Sequence, residues 1–253
     1  MDFGLAGKVA LVTGTASQVG MGKAICLTLA KEGCKIISAD IDLEGAKKTA
    51  EAVKAEGGKA VALKVNVAKT AEVDEMVKSA LKEYGRIDIL VNTAGVIAGL
   101  GTPFLDSKQE TWEKDLAINL YGAMNCAKAV LPGMVARKYG KIINFSSVAA
   151  KVGGLNSYSA AKAGISSVTR GLATEFGPSG ININAIAPGV VATNLFAAIG
   201  AGADESYKAL AARTPMRRVQ SVDDMANAVA FLASDISKNI TGQTIQIDGG
   251  QVL

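Results

Sequence analysis

Histidine is missing from all 253 residues of the chain, and that absence narrows the chemistry at once. Nucleophile–histidine–acid triads and the usual imidazole metal sites are excluded, so proton transfer must use tyrosine, lysine or a carboxylate. Cysteine is scarce. Cys26, Cys34 and Cys126 are odd in number and show no Cys-x-x-Cys spacing, so buried thiols are expected, with no disulfide and no metal. No apolar run reaches the roughly 18 residues of a membrane-spanning helix. The opening Met1-Asp-Phe-Gly-Leu-Ala-Gly-Lys8 lacks the charged-then-apolar plan of a signal peptide. A cytoplasmic protein with no membrane partner is therefore expected. Net charge is +4, both signs are interspersed and no basic run occurs, which argues against a nucleic-acid partner. Only five prolines accompany 28 glycines and 49% hydrophobic residues, the balance of a compact soluble protein.

What the chain has is alternation. Short β-branched apolar runs recur at 9–13, 35–39, 60–65, 87–92, 141–145, 181–186 and 244–247. Helical stretches lie between them, at 23–32, 43–56, 71–84, 108–138, 158–176 and 222–233. Continuous apolar strands alternating with helices predict an α/β fold: a doubly wound, seven-stranded parallel sheet with helices on both faces, a Rossmann-type arrangement. No repeat or linker interrupts it, so residues 1–253 are expected as a single domain. Ligands in such sheets bind beyond the carboxyl ends of the strands. The segment 194–218 is alanine-rich and broken by glycines, long enough to serve as a substrate lid lined by Leu195, Phe196, Ile199 and Met216.

The stretch from Asn144 to Gly164 holds the clearest chemistry. A strand ends in Ser146-Ser147, a glycine-containing loop follows, and Tyr158 and Lys162 stand four apart on a helix, on one face. A free tyrosine has a pKa near 10; a neighbouring ammonium lowers it by about 1–3 units, into the range of a general acid/base. Ser147 is placed to hydrogen-bond the oxygen whose proton moves. Earlier, the first strand runs into Gly14, Gly20 and Gly22 at a helix start, where bare backbone and free N–H groups suit a phosphate. The second strand ends in Asp40, positioned to accept hydrogen bonds from ribose hydroxyls and to repel a 2′-phosphate, which predicts NAD over NADP. Asn66 ends the third strand, where it could face an adenine edge. Small residues at Thr93-Ala94-Gly95 leave room for a cofactor across the sheet.

Together these residues resemble the short-chain dehydrogenases/reductases over essentially the whole chain. The resemblance rests on Thr13-Gly14 with Gly20 and Gly22, Asn92-x-Ala94-Gly95, Asn119, Ser147, Tyr158-x-x-x-Lys162, Pro188-Gly189, Thr193 and the closing Ile240-Thr-Gly to Asp248-Gly-Gly250. It implies that Tyr158 is the general acid/base, that Lys162 lowers its pKa and holds the nicotinamide ribose, that Ser147 orients the substrate oxygen, and that Asn119 supports a water relay. It assigns Gly14, Ser17, Gly20, Met21 and Gly22 to the pyrophosphate end of NAD, and Asp40, Ile41, Asn66 and Val67 to the adenosine end. Asn92, Ala94, Gly95, Pro188, Gly189, Val191 and Thr193 fall to the central and nicotinamide parts. The family also implies a homotetramer. The overall likeness is greatest to the 3-oxoacyl thioester reductases and their catabolic NAD-linked relatives, so the implied activity interconverts a secondary alcohol and a ketone, on a small substrate that is CoA-linked or cyclic. Arg137, Lys138, Arg217 and Arg218 could meet the phosphates of such a carrier. An enoyl thioester reductase and a catalytically silent NAD-binding subunit are the alternatives.

Three departures stand out. Five residues separate Gly14 from Gly20, a longer loop that matches the enoyl thioester reductases, although those enzymes place their Tyr and Lys further apart than here. Ten residues lie between Ser147 and Tyr158, fewer than the family commonly has, which leaves room for a bulkier substrate. Asn66 and Thr93 replace the family's usual Asp and Asn, with a weaker adenine contact expected.

Overall fold

The structure is a computed structural model and describes residues 2–193 and 203–252. Seven strands, β1 (Val9–Thr13), β2 (Lys35–Asp40), β3 (Lys59–Lys64), β4 (Ile89–Asn92), β5 (Gly140–Phe145), β6 (Ile181–Pro188) and β7 (Thr244–Ile247), form one parallel sheet in the order β3-β2-β1-β4-β5-β6-β7. The order reverses between β1 and β4. The register carries one row across the sheet, Leu63, Ala39, Thr13, Asn92, Asn144, Ala185 and Thr244. Gly14, Asp40 and Thr93 follow that row by one step, and the Ser146, Asn66 and Pro188 motifs by two or three.

Neighbouring residues of a strand feed opposite cores because side chains alternate across a sheet. Ala10 and Val12 of β1 pack on one side, with α1 (Met21–Lys31), while Val9 and Leu11 pack on the other. Burial on both faces explains why the strands read as unbroken apolar runs rather than alternating ones. Leu11 is fully buried, so Leu11→Ala is expected to cost about 3 kcal/mol in chemical denaturation.

The remaining helices are α2 (Leu43–Ala55), α3 (Thr70–Tyr84), α4 (Gln109–Leu116), α5 (Gly122–Arg137), α6 (Ala149–Val152), α7 (Asn156–Phe176), α8 (Ala203–Arg213) and α9 (Val222–Ala233). Two differ from expectation. The single helix read at 108–138 is divided by a π-helical turn at Ala117–Tyr121. Its Asn119 side chain competes with the backbone by donating to the Asp115 carbonyl at 2.9 Å, the kind of local exchange that widens a helix turn. The segment read as a lid contains α8, while Leu195, Phe196 and Ile199 lie outside the described residues. Among the described residues no helix is long and apolar enough to cross a membrane. No group of residues among them could hold a metal ion.

Candidate active site

The glycine loop after β1 is shaped by close approach. Gly14 has φ +72, and a Cβ there would lie 2.7 Å from the Ala94 backbone. A Cβ on Gly22 would collide with the Gly14 carbonyl oxygen, so α1 starts directly under the loop. Gly20 caps α1 without a side-chain hydrogen bond, which leaves the first N–H groups of the helix to an outside acceptor. The extra length of this loop folds onto α2. Gln18 donates to the carbonyls of Ala16 and Gly45, and Thr49 donates to Thr15 at 2.7 Å. Ser17 is exposed on the loop and Met21 sits half-buried at the helix start.

Asp40 ends β2 with both oxygens aimed at backbone N–H groups: Ala16 donates at 2.9 Å and Asp42 at 3.0 Å. Ile41 beside it is exposed. The Asn66 side-chain oxygen accepts from Ala68 N–H at 3.1 Å, closing a local turn, and keeps a second lone pair. Val67 is buried against Gly122 of α5. Thr93 donates to the Thr13 carbonyl, tying the ends of β1 and β4 together.

Below the site runs a buried polar chain. Asn92 donates to Asn144 at 2.9 Å, and Asn144 donates to Thr169 at 3.0 Å. The Asn92 side-chain oxygen is buried without a partner in the described structure. Lys162 is buried, and its ammonium donates to the Phe145 carbonyl at 2.8 Å, at the end of β5. Its nitrogen lies 5.5 Å from the centre of the Tyr158 ring. Gly95 faces the same point: a Cβ there would lie 2.8 Å from Asn119 Oδ1 and 3.6 Å from Lys162 Nζ. Tyr158, Lys162, Ser147, Asn119 and Gly95 are thus brought together over the sheet switch point.

The two serines take different partners. Ser146 turns back, donating to the Lys162 carbonyl at 2.8 Å and lying 3.0 Å from Ser166. Ser147 hydrogen-bonds Tyr158. It also accepts from Ala149 N–H at 3.2 Å. Asn119 is committed to a loop. Its oxygen accepts from Val96 N–H at 3.2 Å, and its amide donates to the Val96 carbonyl at 2.8 Å as well as to Asp115. Both amide hydrogens are used, so a water relay has only the second lone pair of the oxygen.

The electrostatics reverse one expectation. Burial raises the Tyr158 phenol above its ordinary value, the Ser147 hydrogen bond opposes that rise, and the Asp115 carboxylate adds to it. Burial also pushes the Lys162 ammonium down to about 8, against the pull of Asp115. The Lys162 ammonium itself donates to the Phe145 carbonyl. Asp115 was not visible as a site residue from the sequence. A buried aspartate four residues before Asn119 on one helix face was the available signal.

At the far side, Pro188 closes β6, its carbonyl accepting from Val148 at 3.0 Å, and Gly189 donates to Ile247 at 3.1 Å. Val191 is buried and bridges to Gln220. Thr193 is held by Tyr207 of α8, whose hydroxyl accepts from Thr193 N–H at 3.1 Å and donates to its carbonyl at 2.5 Å. The basic residues expected for a carrier's phosphates are engaged elsewhere. Arg218 pairs with Asp224 at 2.7 Å, and Arg217 donates to the Ala212 carbonyl. Arg137 donates to Ile87 at 2.6 Å, and both it and Lys138 lie before β5, at the sheet end opposite the site.

Residues 14–251 match the family model described as Enoyl-(Acyl carrier protein) reductase. The chain is 38% identical over 252 residues to 3-oxoacyl-[acyl-carrier-protein] reductase FabG of Staphylococcus epidermidis, covering 97% of this chain and 99% of that one. The chain belongs to the short-chain dehydrogenase/reductase family. A second relative in that family is (2S)-[(R)-hydroxy(phenyl)methyl]succinyl-CoA dehydrogenase subunit BbsD of Thauera aromatica, 37% identical over 252 residues and 99% of both chains. A solved structure described as a short-chain alcohol dehydrogenase of Sinorhizobium meliloti superposes with TM-score 0.92 at 34% identity, covering 99% of this chain and 98% of that one. Members of the short-chain family bind a nicotinamide dinucleotide, and the bare loop at Gly14 and Gly22, the uncapped start of α1 and the opening at Gly95 fit that group.

Proposed function

We propose that this chain is an NAD-linked dehydrogenase/reductase that interconverts the secondary alcohol and ketone of a hydroxyacyl thioester, CoA-linked and catabolic. The carrying observation is the convergence of Ser147, Tyr158 and Lys162 beside the open backbone of Gly95. When bound, the dinucleotide supplies the hydride acceptor or donor. Tyr158 then moves the proton at the substrate oxygen, Ser147 holds that oxygen, and Lys162, anchored on Phe145, keeps a positive charge beside them. Asn119 holds the loop at Val96 so that the reacting carbon has a fixed seat.

Three observations support the finer parts. The Asp40 carboxylate at the end of β2 would repel a 2′-phosphate bound beside it, which favours NAD. The thioester comes from the relatives, whose names place them on acyl-carrier and CoA substrates. The end of α7, Glu175-Phe-Gly-Pro-Ser-Gly180, offers no arginine to grip an acidic carrier protein, which favours CoA. The longer glycine loop and the matching family description favour a rival, reduction of a carbon–carbon double bond. Against it stands the single-turn spacing of Tyr158 and Lys162.

The deciding experiment is the initial rate of NADH formation with linear and cyclic 3-hydroxyacyl-CoA thioesters, beside the free alcohols and, in reverse, enoyl-CoA substrates. Preference for the hydroxyacyl thioesters by orders of magnitude is expected; equal rates with free alcohols, or turnover of enoyl substrates alone, would sink the reading. The pH dependence follows from Tyr158 and Lys162. Because burial raises the phenol and lowers the Lys162 ammonium to about 8, oxidation, which needs the phenolate, should gain kcat/KM as pH rises above about 7, while reduction, which uses the neutral phenol beside a charged Lys162, should fall above about pH 8. An oxidation plateau already reached at neutral pH would contradict it.

A further inference from the structure

One charged group inside the site has no part in the chemistry described so far. Asp115, in the last turn of α4, is 1% exposed. Its Oδ1 accepts from Ala98 N–H at 2.9 Å, in the loop that follows β4. Its Oδ2 accepts from Ser157 Oγ at 2.7 Å, in the residue directly before Tyr158. Four residues on, Asn119 holds Val96 of the same loop through both its N–H and its carbonyl. Asp115 and Asn119 therefore share a helix face and grip one loop at positions 96 and 98, and Asp115 alone of the two reaches across to α7.

The first of these segments passes Asn119 and Lys162 at Gly95, and the second leads directly into Tyr158. The first leaves β4 through Ala94 and Gly95; the second runs from Ser147 to Ser157 and carries the shortened, ten-residue connection. An apolar side chain would pack in this position at far lower desolvation cost than a carboxylate. The charge is kept where its two oxygens each take a donor, one from either segment.

We propose that Asp115 is a positioning residue whose carboxylate cross-links these two segments as walls of the substrate site and fixes the substrate's seat against Tyr158. The inference rests on the proposed role of Tyr158. The carboxylate also acts on both neighbouring ionisable groups, adding to the rise of the Tyr158 phenol and opposing the fall of the Lys162 ammonium.

Three variants separate these effects. Asp115→Ala removes cross-link and charge, Ser157→Ala removes one arm, and Asp115→Asn keeps an oxygen for Ala98 and an amide for Ser157 Oγ while removing the charge. The substrate KM should rise about tenfold in Asp115→Ala and about threefold in Ser157→Ala, with NADH affinity unchanged in both. Asp115→Asn should hold the substrate KM within about twofold. Its oxidation limb should move about 0.5–1 unit to lower pH, since loss of a negative charge lowers the pKa of both neighbours. Hydrogen exchange at the Ala98 amide should quicken about tenfold in Asp115→Ala and stay slow in Asp115→Asn. Unchanged substrate KM and Ala98 exchange in Asp115→Ala would overturn the proposal, as would equal losses in substrate and NADH affinity. If Asp115→Ala does not fold, an unchanged KM in Ser157→Ala together with an unmoved limb in Asp115→Asn overturns it. Should the wild-type protein turn over no secondary alcohol or ketone, the functional reading fails while the Ala98 exchange still decides the cross-link.

Discussion

Replacing Tyr158 by phenylalanine is expected to lower kcat by about 10³- to 10⁴-fold while leaving NADH affinity within about twofold of wild type. The variant deletes one oxygen and keeps the ring. That oxygen is the atom bonded to Ser147, and it lies on the side of α7 from which Lys162 reaches the end of β5. Histidine is absent, so no imidazole can take over the proton. Asp115 is no substitute, because both of its oxygens are occupied by Ala98 and Ser157. Lys162 already donates to Phe145 and has no acceptor function while charged. Rapid-mixing turnover with NADH fluorescence titration reads both quantities; retention of a tenth of the wild-type kcat would remove Tyr158 from the chemistry.

The residues that define this site differ in how visible they are before folding. Tyr158 and Lys162 are legible because their relation is local: one helical turn sets it, and the structure keeps it. Gly14 and Gly22 are legible for a similar reason, since only a residue without a Cβ tolerates such contact with Ala94 and the Gly14 carbonyl. The inner strands could be read because burial on both faces makes them largely apolar, whereas the edge strands β3 and β7 are only partly buried and carry polar residues. Asp115 could not be assigned, because its meaning lies in partners 17 and 42 residues away, one of them a backbone N–H that every residue but proline possesses. Asn66 shows a local use that spacing does not reveal: its oxygen also accepts from its own neighbour Ala68. Arg137 and Arg218 show the same limit for charge: a sequence gives the sign of a side chain but not that Ile87 and Asp224 hold it. The Tyr158 phenol moves upward because of its depth of burial, which spacing does not show.

Cofactor choice should turn on Asp40, and Asp40→Asn is expected to raise kcat/KM with NADP by about 10²-fold and to lower it with NAD by less than tenfold. A unit charge about 4 Å from a carboxylate near a protein surface is disfavoured by about 4 kcal/mol, enough to account for such a discrimination even after partial screening. The substitution is chosen for what it keeps. Asp40 accepts from Ala16 at 2.9 Å, and Ala16 belongs to the lengthened glycine loop that Gln18 fastens to α2. Truncation to alanine would orphan that N–H and loosen the loop, so both cofactors would suffer and the electrostatic part would be hidden. Asparagine retains an oxygen that can accept from one of the two backbone donors, and removes the charge. Measuring both cofactors at low and high salt separates the effects further: repulsion between Asp40 and a 2′-phosphate weakens with ionic strength, whereas a lost backbone hydrogen bond does not. If NADP is used as well as NAD by the unaltered protein, Asp40 serves the loop alone, and the carboxylate at the end of β2 is an anchor for Ala16 rather than a selector of cofactor.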